Sequence, residues 1–390
     1  MSGLDNFLKD SKELIGVEST DVKQGFKKAK WINIRKFAGA LGDENPLWFD
    51  PAYGATTRYN TLIAPPTFVV GNRVPASSGP LEKKDYGCLV NLLECAGFTW
   101  FDVIKMGDEL CSTLKLIGVS ERKSQEGKRI ASLKSGARYF NGYGNPIAIG
   151  RGVMNVIPLA RGEEWVLERE IYRYSDEEIK KIENDLDTVI SRRRRGNQPR
   201  YWSDVRVGDE LPFLVKGPVS LADQMAWLVA EGRELKLGSL VYHELIKERP
   251  GAIRVNPITS WPYWDHDQEF EDIISCRDMG FKNANPGRLI TRVCLAGQLL
   301  SDWMGDHGFL RNLEVDLSNQ WVYGDTMWLN GTVLQKFEEE IEKKKYYATE
   351  IKVEGINQLN EKVLTGSATV YLPEPGRHVS IPIPSEGCFS

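Results

Sequence analysis

The chain has 390 residues with 50 Lys and Arg against 54 Asp and Glu, a formal net charge of −4. That balance excludes a general attraction to nucleic acid, and no apolar run approaches the roughly 20 residues of a membrane span. With 41% hydrophobic and 27% charged residues, this is the composition of a well-packed globular protein, and its length favours two domains over one core. The opening MSGLDNFLKD lacks the apolar centre of a signal peptide. The six cysteines contain no CxxC pair, so neither a disulfide framework nor a zinc site is indicated. The expected compartment is the cytoplasm, with reduced thiols.

In chain order, residues 34–41 read as a helix, followed by a polar loop and the Pro-bounded segment Ala64-Pro65-Pro66-Thr67-Phe68. A Gly107-Asp108 turn then leads into strand-like runs at 110–119, 129–139 and 146–157, with a hairpin turn at 141–145. Residues 175–196 read as one amphipathic helix. Ser175 and Glu178 form a capping box, Ile179, Ile182, Leu186 and Val189 make an apolar stripe, and Gly196 is the stop. The arginines at 192–195 suit the negative end of the helix dipole, so a solvated terminus is expected there. Past a second Gly-Asp turn (Gly208-Asp209) come helices at 221–230 and 289–304 and strands at 327–336, 346–355 and 362–372. Residues 338–345 (EEEIEKKK) are the expected solvated hairpin tip. Each half thus runs from helix to antiparallel meander, an α+β pattern.

The most informative stretch is residues 37–68, FAGALGDENPLWFDPAYGATTRYNTLIAPPTF. Gly42 ends a helix, and Asp43, Glu44 and Asn45 fall at the loop beside Trp48, Phe49 and Tyr53. Carboxylates against an apolar wall suit acid–base work, whereas turn and cap chemistry is the plainer use of Asp and Asn here. The order Gly42-Asp43-Glu44-Asn45-Pro46, Asp50-Pro51, then Pro65-Pro66-Thr67 resembles the MaoC-like dehydratases and the dehydratase domains of type I fatty acid synthases. Later segments, residues 200–218, 302–306 and 323–326, look like the second half of double hot-dog members.

The resemblance implies a double hot-dog of two antiparallel sheets, each wrapping a long central helix. Its divisions would be an N-terminal hot-dog at 1–174, a linker helix at 175–199 and a C-terminal hot-dog at 200–390. It implies hydration or dehydration of an enoyl-CoA/3-hydroxyacyl-CoA pair, with coenzyme A carried by the substrate and no metal or redox cofactor. Asp43 matches the family's catalytic Asp and Asn45 the motif Asn. The family places a His five residues after that Asp, and Trp48 stands there; an indole donates one hydrogen bond but accepts no proton near neutral pH.

First halves of such proteins often lack this His, yet the second half has no Gly-Asp-x-Asn-Pro either, and Ala230-Glu231-Gly232-Arg233 stands near where it would fall. Of the four histidines, His243, His307 and His378 read as surface or structural. His266, flanked by Asp265 and Asp267 with Tyr263 nearby, resembles the family's His-x-Asp region in an altered register and is the candidate acid–base partner of Asp43, while a solvated acidic loop is the equal alternative for this run. The thioester would be held by Pro65-Pro66-Thr67 or by the helix start at Gly287-Arg288, with Trp48 and Tyr263 against the acyl group. Trp31, Trp48, Trp261, Trp264, Trp303 and Trp321 are numerous enough to line an aromatic pocket. The rival expectations are a silent hot-dog subunit that binds acyl-CoA or pairs with a competent partner, and a thioester hydrolase. A homodimer or hetero-oligomer is expected, with no nucleic-acid or membrane partner.

Overall fold

The structure is a computed structural model of the whole chain. It describes every residue except 1–2, 21–24, 83, 85, 87–88, 125–126, 159–168, 193–195, 234–239, 241–242, 244–246, 248–253, 256–259, 261, 264–272, 279–281, 285–288, 318 and 386–390.

The first half opens with helix α1 (Gly3–Glu13) and the short strand β1 (Glu18–Ser19), then α2 (Trp31–Ala40), α3 (Pro46–Phe49) and α4 (Pro51–Thr56). A 3-10 turn, Pro66–Gly71, precedes the strands β2 (Leu89–Trp100), β3 (Leu110–Lys123), β4 (Arg129–Asn141) and β5 (Pro146–Pro158). Between the halves runs α5 (Asp176–Ser191). The second half adds β6 (Leu214–Lys216), α6 (Leu221–Ala230), β7 (Arg254–Val255), β8 (Pro262–Tyr263) and α7 (Ile273–Asp278). It ends with α8 (Leu289–Met304), β9 (Phe309–Asp316), β10 (Met327–Ile341), β11 (Lys344–Asn357) and β12 (Lys362–Leu372).

Ten strands form one antiparallel sheet in the order β1-β3-β4-β5-β2-β9-β12-β11-β10-β6. Read from its two ends the order is the same, so the halves are repeats related about the β2/β9 seam. There Cys95 to Thr99 pair with Asp316 to Asn312, and Thr99 Oγ1 donates to Asn312 Oδ1 at 3.0 Å. Neither β2 nor β9 is anticipated above. The next pairing, β12 on β9 within the second half, is close: a Cβ on Gly366 would lie 2.3 Å from the Glu314 carbonyl oxygen.

Alternation decides which face of each strand is inside. On β10, Met327, Leu329, Gly331 and Val333 are buried with half-buried or exposed residues between them. The β10/β11 hairpin runs well past residue 338, and only Glu342 and Lys343 form its turn, both with positive φ, 45° and 65°. A two-residue turn with both positions left-handed matches the strand twist.

Helix α8 is apolar nearly all round, and 14 of its 16 residues are buried, as the central element of the second half requires. The first half has no equivalent. Its central position holds only the six-residue 3-10 turn Pro66–Gly71, because Pro65 and Pro66 supply no backbone N–H and Val69-Val70-Gly71 favours helix weakly. The expectation of a long helix in each half is corrected on that point.

Helices α2 and α6 pack together as mates, with Phe37 and Trp227 ring centroids 5.4 Å apart. Helix α5 has the expected capping box and ends at Ser191 rather than 196. Of its stripe, Ile182 is buried while Ile179 is exposed. Asp185 accepts the Trp328 indole N–H at 2.8 Å, and the Lys181 ammonium lies 4.3 Å from that ring, so α5 is fastened to β10. Arg192 is not solvated as expected: it donates to the Phe213 carbonyl at 2.5 Å. Arg193 to Arg195 lie outside the described residues. Among the described residues no helix is long and apolar enough to cross a membrane.

Candidate active site

The motif loop is built by helix-end chemistry. Helix α2 closes when Gly42 takes φ +61°, with Gly42 N–H donating to the Gly39 carbonyl at 3.0 Å and Asp43 N–H to Ala38 at 2.9 Å. This paired arrangement satisfies the orphan carbonyls of the last turn. Asp43 Oδ1 then accepts the Asn45 N–H at 3.0 Å, and Asn45 Oδ1 accepts the Leu47 N–H at 3.1 Å as N-cap of α3, with Pro46 in its first turn. Asp50 repeats the device for α4. Gly-Asp-x-Asn-Pro is therefore a run of caps, the plainer of the two readings of these residues.

Trp48 completes the loop. Its indole Nε1 donates to Asp43 Oδ2 at 2.9 Å, with Asp43 and Trp48 only 1% and 2% exposed. Where the resemblance calls for an imidazole, an indole closes on the carboxylate. The mate of this loop in the second half has the same backbone. Gly232 takes φ +82°, its N–H donates to Val229 and the Arg233 N–H to Leu228. Arg233 thus occupies the position that Asp43 holds in the first half, and its Nε lies 3.5 Å from Glu231.

In front of the motif loop lies a narrow cleft between the two halves. Asn45, Trp48, Ala64 and Pro66 form part of one wall, and Ser301, Met304 and Phe309 part of the other. The Trp100 indole donates to the Pro66 carbonyl at 2.8 Å, which fixes the 3-10 turn against β2.

Asp43, Pro65 and Thr67 do not line the cleft. Thr67 is buried against α8, where a Cβ on Gly297 would fall 2.6 Å from its Cγ2. His266, Gly287 and Arg288 lie outside the described residues, and Tyr263 is placed in β8 without description of its side chain. Of the six tryptophans, Trp261 and Trp264 lie outside the described residues; Trp48 lines the cleft, Trp303 and Trp321 are buried in the core, and Trp31 is exposed.

Two acidic residues of the cleft escape the sequence reading. Burial raises the Asp102 carboxyl above its ordinary value, with the Val103 N–H opposing the shift. Burial likewise raises Asp306, which is 3% exposed, against the lowering effect of the Tyr53 hydroxyl at 2.6 Å. Asp306 had a signal, since it falls in the turn that ends a long apolar helix and its carboxylate must go somewhere near that core. Asp102, in a loop just after a strand, had none. Among the described residues no cluster of three metal-ligating side chains occurs.

With this geometry in view, comparison with known proteins is informative. Residues 13–149 match the family model described as "FAS1-like, dehydratase domain region". A solved "MaoC-like dehydratase" superposes with a TM-score of 0.61 at 15% identity, covering 93% of this chain and 99% of its own. The chain has the double hot-dog fold. A putative MaoC domain protein dehydratase from Chloroflexus aurantiacus J-10-fl is a second structure similar to this double hot-dog, with a TM-score of 0.51, 14% identity and coverage of 92% and 94%. Among curated proteins, a "UPF0336 protein" of Thermobifida fusca is 49% identical over 39 residues, 10% of this chain. That match spans 26% of the relative's own length.

Proposed function

We propose that this double hot-dog protein interconverts an enoyl-CoA and a 3-hydroxyacyl-CoA by adding or removing water, in the cleft between its halves. The observation that carries the reading is the meeting of the motif loop, through Asn45 and Trp48, with the Pro66 turn at one apolar cleft, within the stretch that matches the dehydratase region. In hydration a water oxygen bonds to C3, its proton passes to a base, and C2 gains a proton. The thioester carbonyl takes up charge as C2 becomes enolate-like, and N–H groups aimed at that oxygen lower the barrier. The thioester itself acidifies the C2 proton, so the reading calls on no metal.

His266 and Asp43 are the proposed acid–base pair, with Asn45 positioning the loop. Gly287-Arg288 or the Pro65-Pro66-Thr67 turn would supply the N–H groups, and Trp48 and Tyr263 would contact the acyl group. For Asp43 to reach water, its Oδ2 must exchange the indole bond.

That bond favours a second reading, a hot-dog subunit that binds acyl-CoA and leaves chemistry to a partner. The loop carries Trp48 where an imidazole is called for, and its mate carries Arg233 where an acid is called for. Mass spectrometry of short, branched, dicarboxylic and aryl enoyl-CoA thioesters incubated with the protein separates the readings. A gain of one water that falls at least about 100-fold in both Asp43→Asn and His266→Gln supports the hydro-lyase. Binding without turnover supports the partner reading. Release of free CoA makes the protein a thioester hydrolase and overturns both.

A further inference from the structure

One carboxylate oxygen in the cleft is left unanswered by its surroundings. Asp306 follows α8, and its backbone is satisfied: its N–H donates to Gly196 at 3.0 Å and its carbonyl accepts the Tyr59 hydroxyl at 3.1 Å. Oδ2 accepts the Tyr53 hydroxyl at 2.6 Å. Among the described residues Oδ1, which is buried, has no hydrogen-bond partner. A buried acceptor with no donor is destabilising, and a charged one more so. Ser301, on the last turns of α8, is in the same condition, 4% exposed with its Oγ unpartnered. Both residues line the cleft.

The electrostatics of the cleft agree with this placement. Asp102 stands on the wall formed by the first half. Burial pushes the Tyr59 phenol up to about 12, the Arg58 guanidinium opposes that shift, and the charges of Asp306 and Asp102 add to it. No Lys or Arg is among the described residues that line the cleft. The rest of the lining is largely apolar. An anionic group entering here would meet two carboxylates, with no Lys or Arg among the described residues of the lining to balance it and only Arg58 and His307 acting from behind that lining, in surroundings that screen poorly. A group with a hydrogen to donate would supply the partner that Oδ1 lacks.

We propose that this end of the cleft is an acyl-recognition subsite selecting an acyl group that carries a hydrogen-bond donor, a hydroxyl or amide N–H, which Asp306 Oδ1 accepts beside the Ser301 hydroxyl. The inference rests on the acyl-thioester reading above and narrows its substrate class: dicarboxylic acyl groups are disfavoured, hydroxylated or amide-bearing ones preferred. Ser301 Oγ can accept or donate, so it serves either kind of donor. Tyr53 holds the carboxylate in place and does not itself line the cleft.

The test is calorimetric titration of the full chain with hexanoyl-CoA, its 4-, 5- and 6-hydroxy analogues, and adipoyl-CoA. These saturated ligands report binding without turnover. At least one hydroxy analogue is expected to bind about tenfold or more tightly than hexanoyl-CoA, and adipoyl-CoA at least about tenfold more weakly. In Asp306→Asn the amide oxygen can still accept from Tyr53, while the NH2 group takes the place of Oδ1 and turns an acceptor into a donor. The hydroxy preference should then shrink to about twofold or less, and adipoyl-CoA should gain. Ser301→Ala should reduce the same preference by a smaller factor, which keeps the idea testable if Asp306→Asn folds poorly. Equal binding of the hydroxy and plain ligands, or adipoyl-CoA as the tightest, overturns this inference while leaving the acyl-thioester reading standing. Binding of none of the thioesters overturns both.

Discussion

Trp48→Phe asks whether the Asp43–Trp48 contact is what holds the motif loop. The substitution removes the indole N–H that lies 2.9 Å from Asp43 Oδ2, at a pair 1% and 2% exposed. Losing a hydrogen bond to a buried carboxylate costs about 1.5–3 kcal/mol, and the smaller ring leaves a gap worth about a further 1–2 kcal/mol. The expected loss is therefore about 2.5–5 kcal/mol. Asp43→Asn makes the same contact fail from the other side. The Asn45 N–H and the Trp48 indole both donate to this side chain, and an amide has only one oxygen, so either orientation leaves one donor facing an NH2 group. About 2–3 kcal/mol is expected. Combining the two relieves that conflict, because Phe has no N–H to oppose. The double variant should lose about 1.5–3 kcal/mol less than the sum of the singles. Urea unfolding followed by circular dichroism at constant slope gives all three values. A coupling below about 0.5 kcal/mol would refute the claim that this bond organises the loop.

The other predictions concern the scaffold. Gly366→Ala puts a Cβ 2.3 Å from the Glu314 carbonyl in the β12/β9 pair and should cost about 3 kcal/mol or more by urea unfolding; a change below about 1 kcal/mol would mean that this pair of strands can move apart. Ser175→Ala should cost about 1 kcal/mol through loss of the α5 cap. Glu178 is held below the ordinary glutamate value by the Tyr172 hydroxyl and the Ser175 N–H, so its contribution is present above that ordinary value and disappears as pH falls through the lower folded value. Asp306 is raised by burial and has the opposite sign: stability is lost as pH rises from the ordinary aspartate value through the raised one. In melting temperature against pH, Glu178→Gln should flatten the acid-side loss and Asp306→Asn should remove the opposing slope. Replacing Glu342-Lys343 by Asn-Gly suits two positive φ angles and should stabilise the hairpin by about 1 kcal/mol, read from the same unfolding curves.

The parts of the fold legible in the sequence are those whose signal is local. The strands β3, β4, β5, β10, β11 and β12 alternate and are bounded by turns, and α5 announces itself by its capping box. The strands at the seam carry less. In β2, LVNLLECAGFTW mixes apolar runs with small residues and suits a helix as readily as a strand. In β9 there are only eight residues, FLRNLEVD, directly after a helix and a tight turn. What makes both into strands is their pairing with one another and with their neighbours, a tertiary fact. The absent central helix of the first half is legible in Pro65-Pro66, which offer no backbone N–H to a helix. At the site, the caps were readable from Asp43, Asn45 and Asp50 one residue at a time. The indole bond was not, because spacing alone does not say that a residue five positions on turns back to the carboxylate.

The two loops that follow α2 and α6 show why motif and chemistry come apart here. Both end their helix on a glycine at positive φ, and both close it with the same pair of backbone bonds. The backbone alone requires that much, and it survives in both halves. The side chains are not so constrained: the first half presents Asp43 covered by Trp48, and the second presents Arg233 beside Glu231. A loop whose shape is held by main-chain bonds can change its side chains without losing the fold, so the shape identifies the architecture and says little about turnover. Under the proposed hydro-lyase reading turnover would depend on an imidazole from elsewhere, which makes His266→Gln more decisive than any change at residue 48. If that variant and Asp43→Asn both abolish water addition while thioester binding persists, chemistry has moved from the loop to a pair spanning the two halves. If neither alters an activity that is present, the cleft's own acids, Asp102 and Asp306, become the groups to replace next.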